Sequence, residues 1–92
     1  MALGLTDRSD DITAGSVSQE VMAANIARKL VLFQNISTAT MWLNFGAAAT
    51  ANSNSFKILP DQCFTFEMQA VVAQAVHVIC ATIASKYVAK EG

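Results

Sequence analysis

Between residues 28 and 66 the apolar positions come in short bursts divided by small polar turns, the pattern of strands. The run Leu30-Val31-Leu32-Phe33-Gln34-Asn35-Ile36 is apolar on both sides, Leu30 and Leu32 facing one way, Val31 and Phe33 the other. Asn35, Ser37 and Thr38 then supply side chains that bond to their own backbone in turns, so Ser37-Thr38-Ala39-Thr40 reads as the tip of a hairpin. Met41, Leu43 and Phe45 alternate with Thr40, Trp42 and Asn44 in the second strand, which ends at Gly46 and a loop of small residues. Residues 55–59 form a third strand with Phe56 and Ile58 on its apolar side. Pro60-Asp61 is a turn, and residues 63–67 return as a fourth strand with Phe64 and Phe66 inward, paired with the third.

The flanks are less decided. In residues 16–22, Val17, Gln19 and Val21 alternate with Ser16, Ser18 and Glu20 as in a half-buried strand. The alanines at 23, 24 and 27 keep a helix from residue 16 in competition. Residues 68–90 are open in the same way. Alanine content favours a helix, whereas the β-branched cluster Val76, Val78, Ile79, Thr82 and Ile83 favours a strand, with Val76, Val78 and Cys80 facing one way and a last strand at 87–90. Residues 1–14 have too little apolar surface to pack by themselves and read as an arm that is flexible or lies over a neighbour, leaving 15–92 as the folded domain.

Composition turns attention outward. The chain is 53% hydrophobic and 14% charged, against roughly 25% charged in ordinary domains. Ninety-two residues cannot hide that much apolar material internally, which points to burial against copies of itself or a partner. Six scattered Lys and Arg at a net charge of −1 give no basic surface for nucleic acid, and Arg28-Lys29 reads as a solvated strand entrance. The N-terminus lacks the basic region of a signal peptide, and the apolar run 70–84, interrupted by Gln74 and His77, is too short to span a bilayer. A reducing cytoplasm fits buried free thiols at Cys63 and Cys80, with a disulfide between the two as the open alternative.

Candidate chemistry is sparse, and no cofactor, metal or enzymatic activity is expected. His77 stands alone between valines, so it reads as packed and not as catalytic. Cys63, Cys80 and His77 lack the paired spacing of a zinc site. Asp7, Ser9 and Asp11 alternate like part of a calcium loop but lack its glycine and distal glutamate. Asn35-Ile36-Ser37 matches a glycosylation acceptor only in its letters. Trp42 and Tyr87 read as core or interface anchors.

Several of these segments, in this order, resemble small all-β virion proteins of tailed bacteriophages. They are Asp7-Arg8-Ser9, Val21-Met22-Ala23-Ala24-Asn25, the strand ending in Gln34-Asn35, Trp42-Leu43-Asn44-Phe45-Gly46, the loop Ala48-Ala49-Thr50-Ala51, Ser55-Phe56, the turn at Pro60 and a closing strand before Glu91. The chain departs from that pattern at Asp61-Gln62, where a glycine-rich turn is usual. The resemblance implies a compact antiparallel β-sandwich, jelly-roll-like, with an extended N-terminal arm. It also implies a head decoration or cement protein on the capsid exterior, made in the bacterial host cytoplasm. Its partners would be itself, often as a trimer, and the major capsid protein or another virion protein, with neither nucleic acid nor membrane involved. With Leu30, Leu32, Met41, Leu43, Phe45, Phe56, Phe64 and Phe66 filling the sandwich, Val31, Phe33, Trp42, Ile79 and Tyr87 are left for an oligomer interface. Asp7, Arg8, Asp10, Asp11 and Ile12 of the arm are the expected capsid contacts.

Overall fold

The computed structural model describes residues 5–52, 54–67 and 73–92. Among the described residues nine strands form: β1 (Thr6–Asp7), β2 (Asp10–Asp11), β3 (Gln19–Met22), β4 (Leu30–Asn35), β5 (Met41–Phe45), β6 (Phe56–Ile58), β7 (Cys63–Glu67), β8 (Val76–Cys80) and β9 (Lys86–Glu91). β2 pairs with β9, β3 with β8, β4 with β7 and β5 with β6, all antiparallel. The chain is therefore one long two-stranded ribbon, β2 to β5 running out and β6 to β9 running back. Pairing of β4 with β9 and of β5 with β8 rolls the ribbon into two sheets, β1/β2-β9-β4-β7 and β3-β8-β5-β6. This is the jelly-roll order, and the chain forms the all-β sandwich that the resemblance implies. The helical alternative for 76–90 loses to β8 and β9; the Ala-rich piece 68–72 lies outside the described residues.

The hairpin expected across residues 36–40 does not form, because that turn carries the chain from one sheet to the other. Asn35 is the cause. It is fully buried, and its amide Nδ2 donates to the carbonyls of Ala39 (2.6 Å) and Ile58 (3.0 Å). Its Oδ1 accepts from the Ser37 backbone N–H (2.9 Å) and the Ser37 hydroxyl (2.6 Å). Its backbone N–H donates to the Gln62 carbonyl, and its backbone carbonyl accepts from the Asp61 N–H. One side chain thus ties two corners to the end of β4, which also places β6 and β7 in different sheets, although they were expected to pair. The Pro60 turn closes with Gln62 N–H on the Leu59 carbonyl (3.0 Å), and Asp61 takes φ 65° at the position where a glycine is usual. The Asn35 side chain leaves no amide free for glycosylation. Asn35→Leu strands the Ala39 and Ile58 carbonyls, and urea unfolding is expected to show a loss of about 2–4 kcal/mol.

Burial reverses the expected phase of β4. Val31, Phe33 and Asn35 point into the core, while Leu30, Leu32 and Gln34 lie half-buried on the outer face. Both sides of this strand are apolar, so its alternation carries no phase, and a one-residue change of phase exchanges the two faces. The expected phase holds for Met41, Leu43 and Phe45 of β5, for Val76, Val78 and Cys80 of β8, and for Ile58 of β6, all buried. Phe56, expected to fill the sandwich beside Ile58, and Val17, expected on the side of Val21, are instead exposed. Met41, Leu43, Ile58, Val76 and Val78 have no exposed surface, and each contributes roughly 1.5–3 kcal/mol by its burial. Where β6 and β7 leave the sandwich open, a cluster of Phe45, Phe56, Phe64 and Phe66 fills the margin. Phe45 and Phe66 meet edge-on at 4.8 Å, and Phe64 and Phe66 stack at 5.0 Å.

Candidate interaction surfaces

The expected oligomer residues divide between the two sheets. Val31, Phe33 and Tyr87 are corrected to core positions, with Phe33 and Tyr87 stacked at 5.2 Å inside the first sheet. Buried within one protomer, they offer nothing to a second. Trp42 and Ile79 are brought together. They face each other across the β5·β8 ladder, half-buried on the outer side of the second sheet. The loop after β5 accounts for the half-burial. Its Ala49 N–H bonds to the Ser18 hydroxyl (2.9 Å), and Asn44 Nδ2 bonds to the Ala48 carbonyl (3.1 Å), so the loop folds back over this face. An open groove of about 330 Å³ remains, lined by Trp42, Ile79, Thr40, Ala51 and Thr82. The Lys57 ammonium stands 5.6 Å from the Trp42 ring centre.

Residues 6–11 of the expected arm lie on the chain's own β9. Thr6, Asp7, Asp10 and Asp11 stand opposite Glu91, Lys90, Tyr87 and Lys86 in a single register, so β1 and β2 are one edge strand interrupted at Arg8-Ser9. The interruption is bridged: Arg8 N–H donates to the Ala89 carbonyl (2.7 Å), and Ala89 N–H donates to the Ser9 hydroxyl (3.0 Å). Asp7, Arg8 and Asp10 are exposed and Asp11 is half-buried, but Ile12 is 1% exposed. Ile12 is therefore corrected from a capsid contact to a core residue.

Charges along this edge are matched. Lys90 Nζ lies 3.3 Å from Asp7, Lys86 Nζ lies 4.0 Å from Asp11, and Arg8 Nε donates to Glu91 at 2.6 Å. The Ser9 hydroxyl and backbone N–H, with Lys90 behind them, hold the Asp7 carboxyl at a pKa of about 2. What this contributes to anchoring β1 is present above the ordinary pKa of 3.8 and is lost as pH falls toward 2.

Beneath lies a residue that sequence reading misplaced. Arg28, expected at a solvated strand entrance, is buried. Its guanidinium donates to the carbonyls of Ala23 (3.1 and 3.2 Å) and Gln74 (2.9 Å) and lies 3.7 Å from Glu91. Burial lowers its pKa, and the Glu91 carboxylate works against that. Every buried side-chain nitrogen and oxygen among the described residues has a partner.

Tyr87 supplies a pH test. Burial, and secondarily the carboxylates of Asp10 and Asp11, raise its pKa above 10.0, against a hydrogen bond with Gln19. A raised phenol stabilises the fold fully below its unfolded pKa, and that stability is lost as pH rises through the folded value. Phenolate absorbance of this single tyrosine is therefore expected only above pH 10, together with unfolding, and Tyr87→Phe should remove that alkaline component of stability.

Apolar surface also collects at one end of the sandwich, where the turns after β4, β6 and β8 meet. Ile36, Leu59 and Ile83 are 45%, 48% and 62% exposed. Periodicity could not find them, since they sit in turns. His77 stands between Glu20 and Asn44 on the outer face of the second sheet. Among the described residues no group of three His, Cys, Asp or Glu side chains could hold a metal ion. Cys80 is buried as expected; Cys63 is corrected to an exposed thiol at the start of an edge strand, and both are free.

No protein-family model, curated protein or solved structure matches the chain.

Proposed function

We propose that this protein is a non-enzymatic structural component of a bacteriophage virion, a decoration or cement protein on the capsid exterior that self-associates and binds the major capsid protein of the head shell. The observation that carries the reading is apolar surface left outside a sandwich whose core is already filled: Trp42 with Ile79 on one face, and Ile36, Leu59 and Ile83 at one end. Surface of this kind is typical of chains that are buried against others. The charged edge of Asp7, Arg8, Asp10 and Asp11 offers the polar contact to the shell. Three of these four side chains are held by Lys90, Glu91 and Lys86 and so present a fixed pattern. Co-purification with virions, quantified as copies per particle, tests this. Hundreds of copies support a shell component, about a dozen point to a neck or fibre-base protein, and absence from particles refutes the virion reading.

A second reading, a carbohydrate- or peptide-binding module, draws on the Trp42 groove, whose volume is at the lower end of the roughly 300–1,000 Å³ range for ligand sites. It no longer has Tyr87, which is buried. A monomer whose Trp42 fluorescence shifts on titration with oligosaccharides or extended peptides would favour it.

A further inference from the structure

We propose that the free edge of β7 joins two copies of this chain, antiparallel and across a two-fold axis. The contact deepens the self-association in the proposed function and rests on it. The sandwich ends in four edges, β1/β2 and β7 in one sheet and β3 and β6 in the other. Natural sheets guard such edges by brevity, charge, proline or bulges. β1 and β2 are two residues each and carry Asp7, Asp10 and Asp11; β3 is irregular between Glu20 and Met22; β6 is three residues long with Lys57 at its centre. Among the described residues β7 has none of these guards. Its five residues hold an unbroken register against β4, uncharged until Glu67.

The backbone phase of β7 suits pairing. Asn35 N–H donates to the Gln62 carbonyl, and antiparallel ladder bonds recur at every second residue. In that phase Phe64 and Phe66 bond to β4, while the N–H and C=O groups of Cys63, Thr65 and Glu67 point away from it. A two-fold axis at Thr65 sets Thr65 against its own copy, Cys63 against Glu67 of the second copy, and Phe64 against Phe66 of the second copy. Thr–Thr and aromatic pairs are favourable cross-strand partners. The two Glu67 carboxylates fall roughly 13 Å apart along the pair, beyond the screening length at physiological salt. Phe56, 43% exposed beside Phe64 and Phe66, lies at the same margin. The contact yields a dimer alone, or a hexamer where protomers also meet around a three-fold axis.

Light-scattering mass of the wild-type chain and of Thr65→Pro tests the contact. Proline is tolerated on an edge strand whose N–H faces outward, so the variant should keep the wild-type circular dichroism while its mass halves. Thr65→Lys, which opposes two ammonium groups at the axis, should raise the dissociation constant by roughly a hundredfold. In a Cys63→Ser background, Thr65→Cys should give a covalent dimer on oxidation. A wild-type oligomer whose mass neither Thr65→Pro nor Thr65→Lys changes overturns the β7 contact alone. A monomeric wild type overturns both the contact and the self-association beneath it.

Discussion

A chain lacking residues 1–12 is expected not to fold. The deletion removes the whole edge strand on β9, the Ser9 hydroxyl that receives the Ala89 N–H, the Arg8 partner of Glu91, and Ile12 from the core. Ile12→Ala alone should cost about 2–4 kcal/mol in urea unfolding followed by the fluorescence of Trp42, the single tryptophan. A domain of this length has only about 5–14 kcal/mol to lose. Asp10→Asn, on the exposed side of the same strand, should stay within about 0.5 kcal/mol of wild type. A truncated chain with native circular dichroism and a cooperative unfolding transition would contradict this. Shell binding through the edge is accordingly tested by point variants: Asp10→Lys should weaken capsid occupancy with the fold intact, whereas deletion would confound binding with folding.

Arg28→Ala is expected to be the most damaging single substitution in the segment before β4, at about 3–5 kcal/mol, because it breaks a buried charge pair by removing one partner. The Ala23 and Gln74 carbonyls lose their guanidinium donor, and Glu91 keeps only Arg8 at the surface. Arg28→Lys should recover only part of the loss, since a compact ammonium cannot reproduce the planar fork that reaches both carbonyls. Arg28→Met combined with Glu91→Leu should be less destabilised than Arg28→Ala, because the uncompensated charge is gone as well. Equilibrium unfolding of the three variants against wild type decides the order. A double variant weaker than Arg28→Ala would show that the pair contributes more than removal of an orphaned charge explains.

The strands of this protein were legible in its sequence because alternation is a local signal. β5 and β6 alternate clearly enough for the period-two pattern to mark them as strands, and Met41, Leu43, Phe45 and Ile58 lie on the buried side it indicated. β8, with Ile79 on its outer face, stood open between helix and strand. β4 shows where that signal stops. With leucines on one face and Val31 and Phe33 on the other, either face could have been the core, and the choice fell to Asn35, whose four side-chain hydrogen bonds reach residues at 37, 39 and 58. The reversal moved Phe33 into the core, with Tyr87 stacked on it from β9, and so removed both from the candidate interface. Ile12 and Arg28 were misread for a related reason. Each looks solvated among its sequence neighbours, yet Ile12 bonds to Ala84 and Ser85, and Arg28 reaches the Gln74 carbonyl and Glu91, all far along the chain.

Residues 28–66 were first legible as a run of hairpins, and as strands and turns they are. The sequence alone determined the strands and turns of residues 28–66 and a composition too apolar for the chain's length, because strand periodicity and composition need no partner to be read. The tertiary structure decided which strands share a sheet, which face of β4 is inside, and that the acidic N-terminal segment is an edge strand of the sandwich. Those outcomes depend on hydrogen bonds between residues far apart in sequence, which no local pattern encodes.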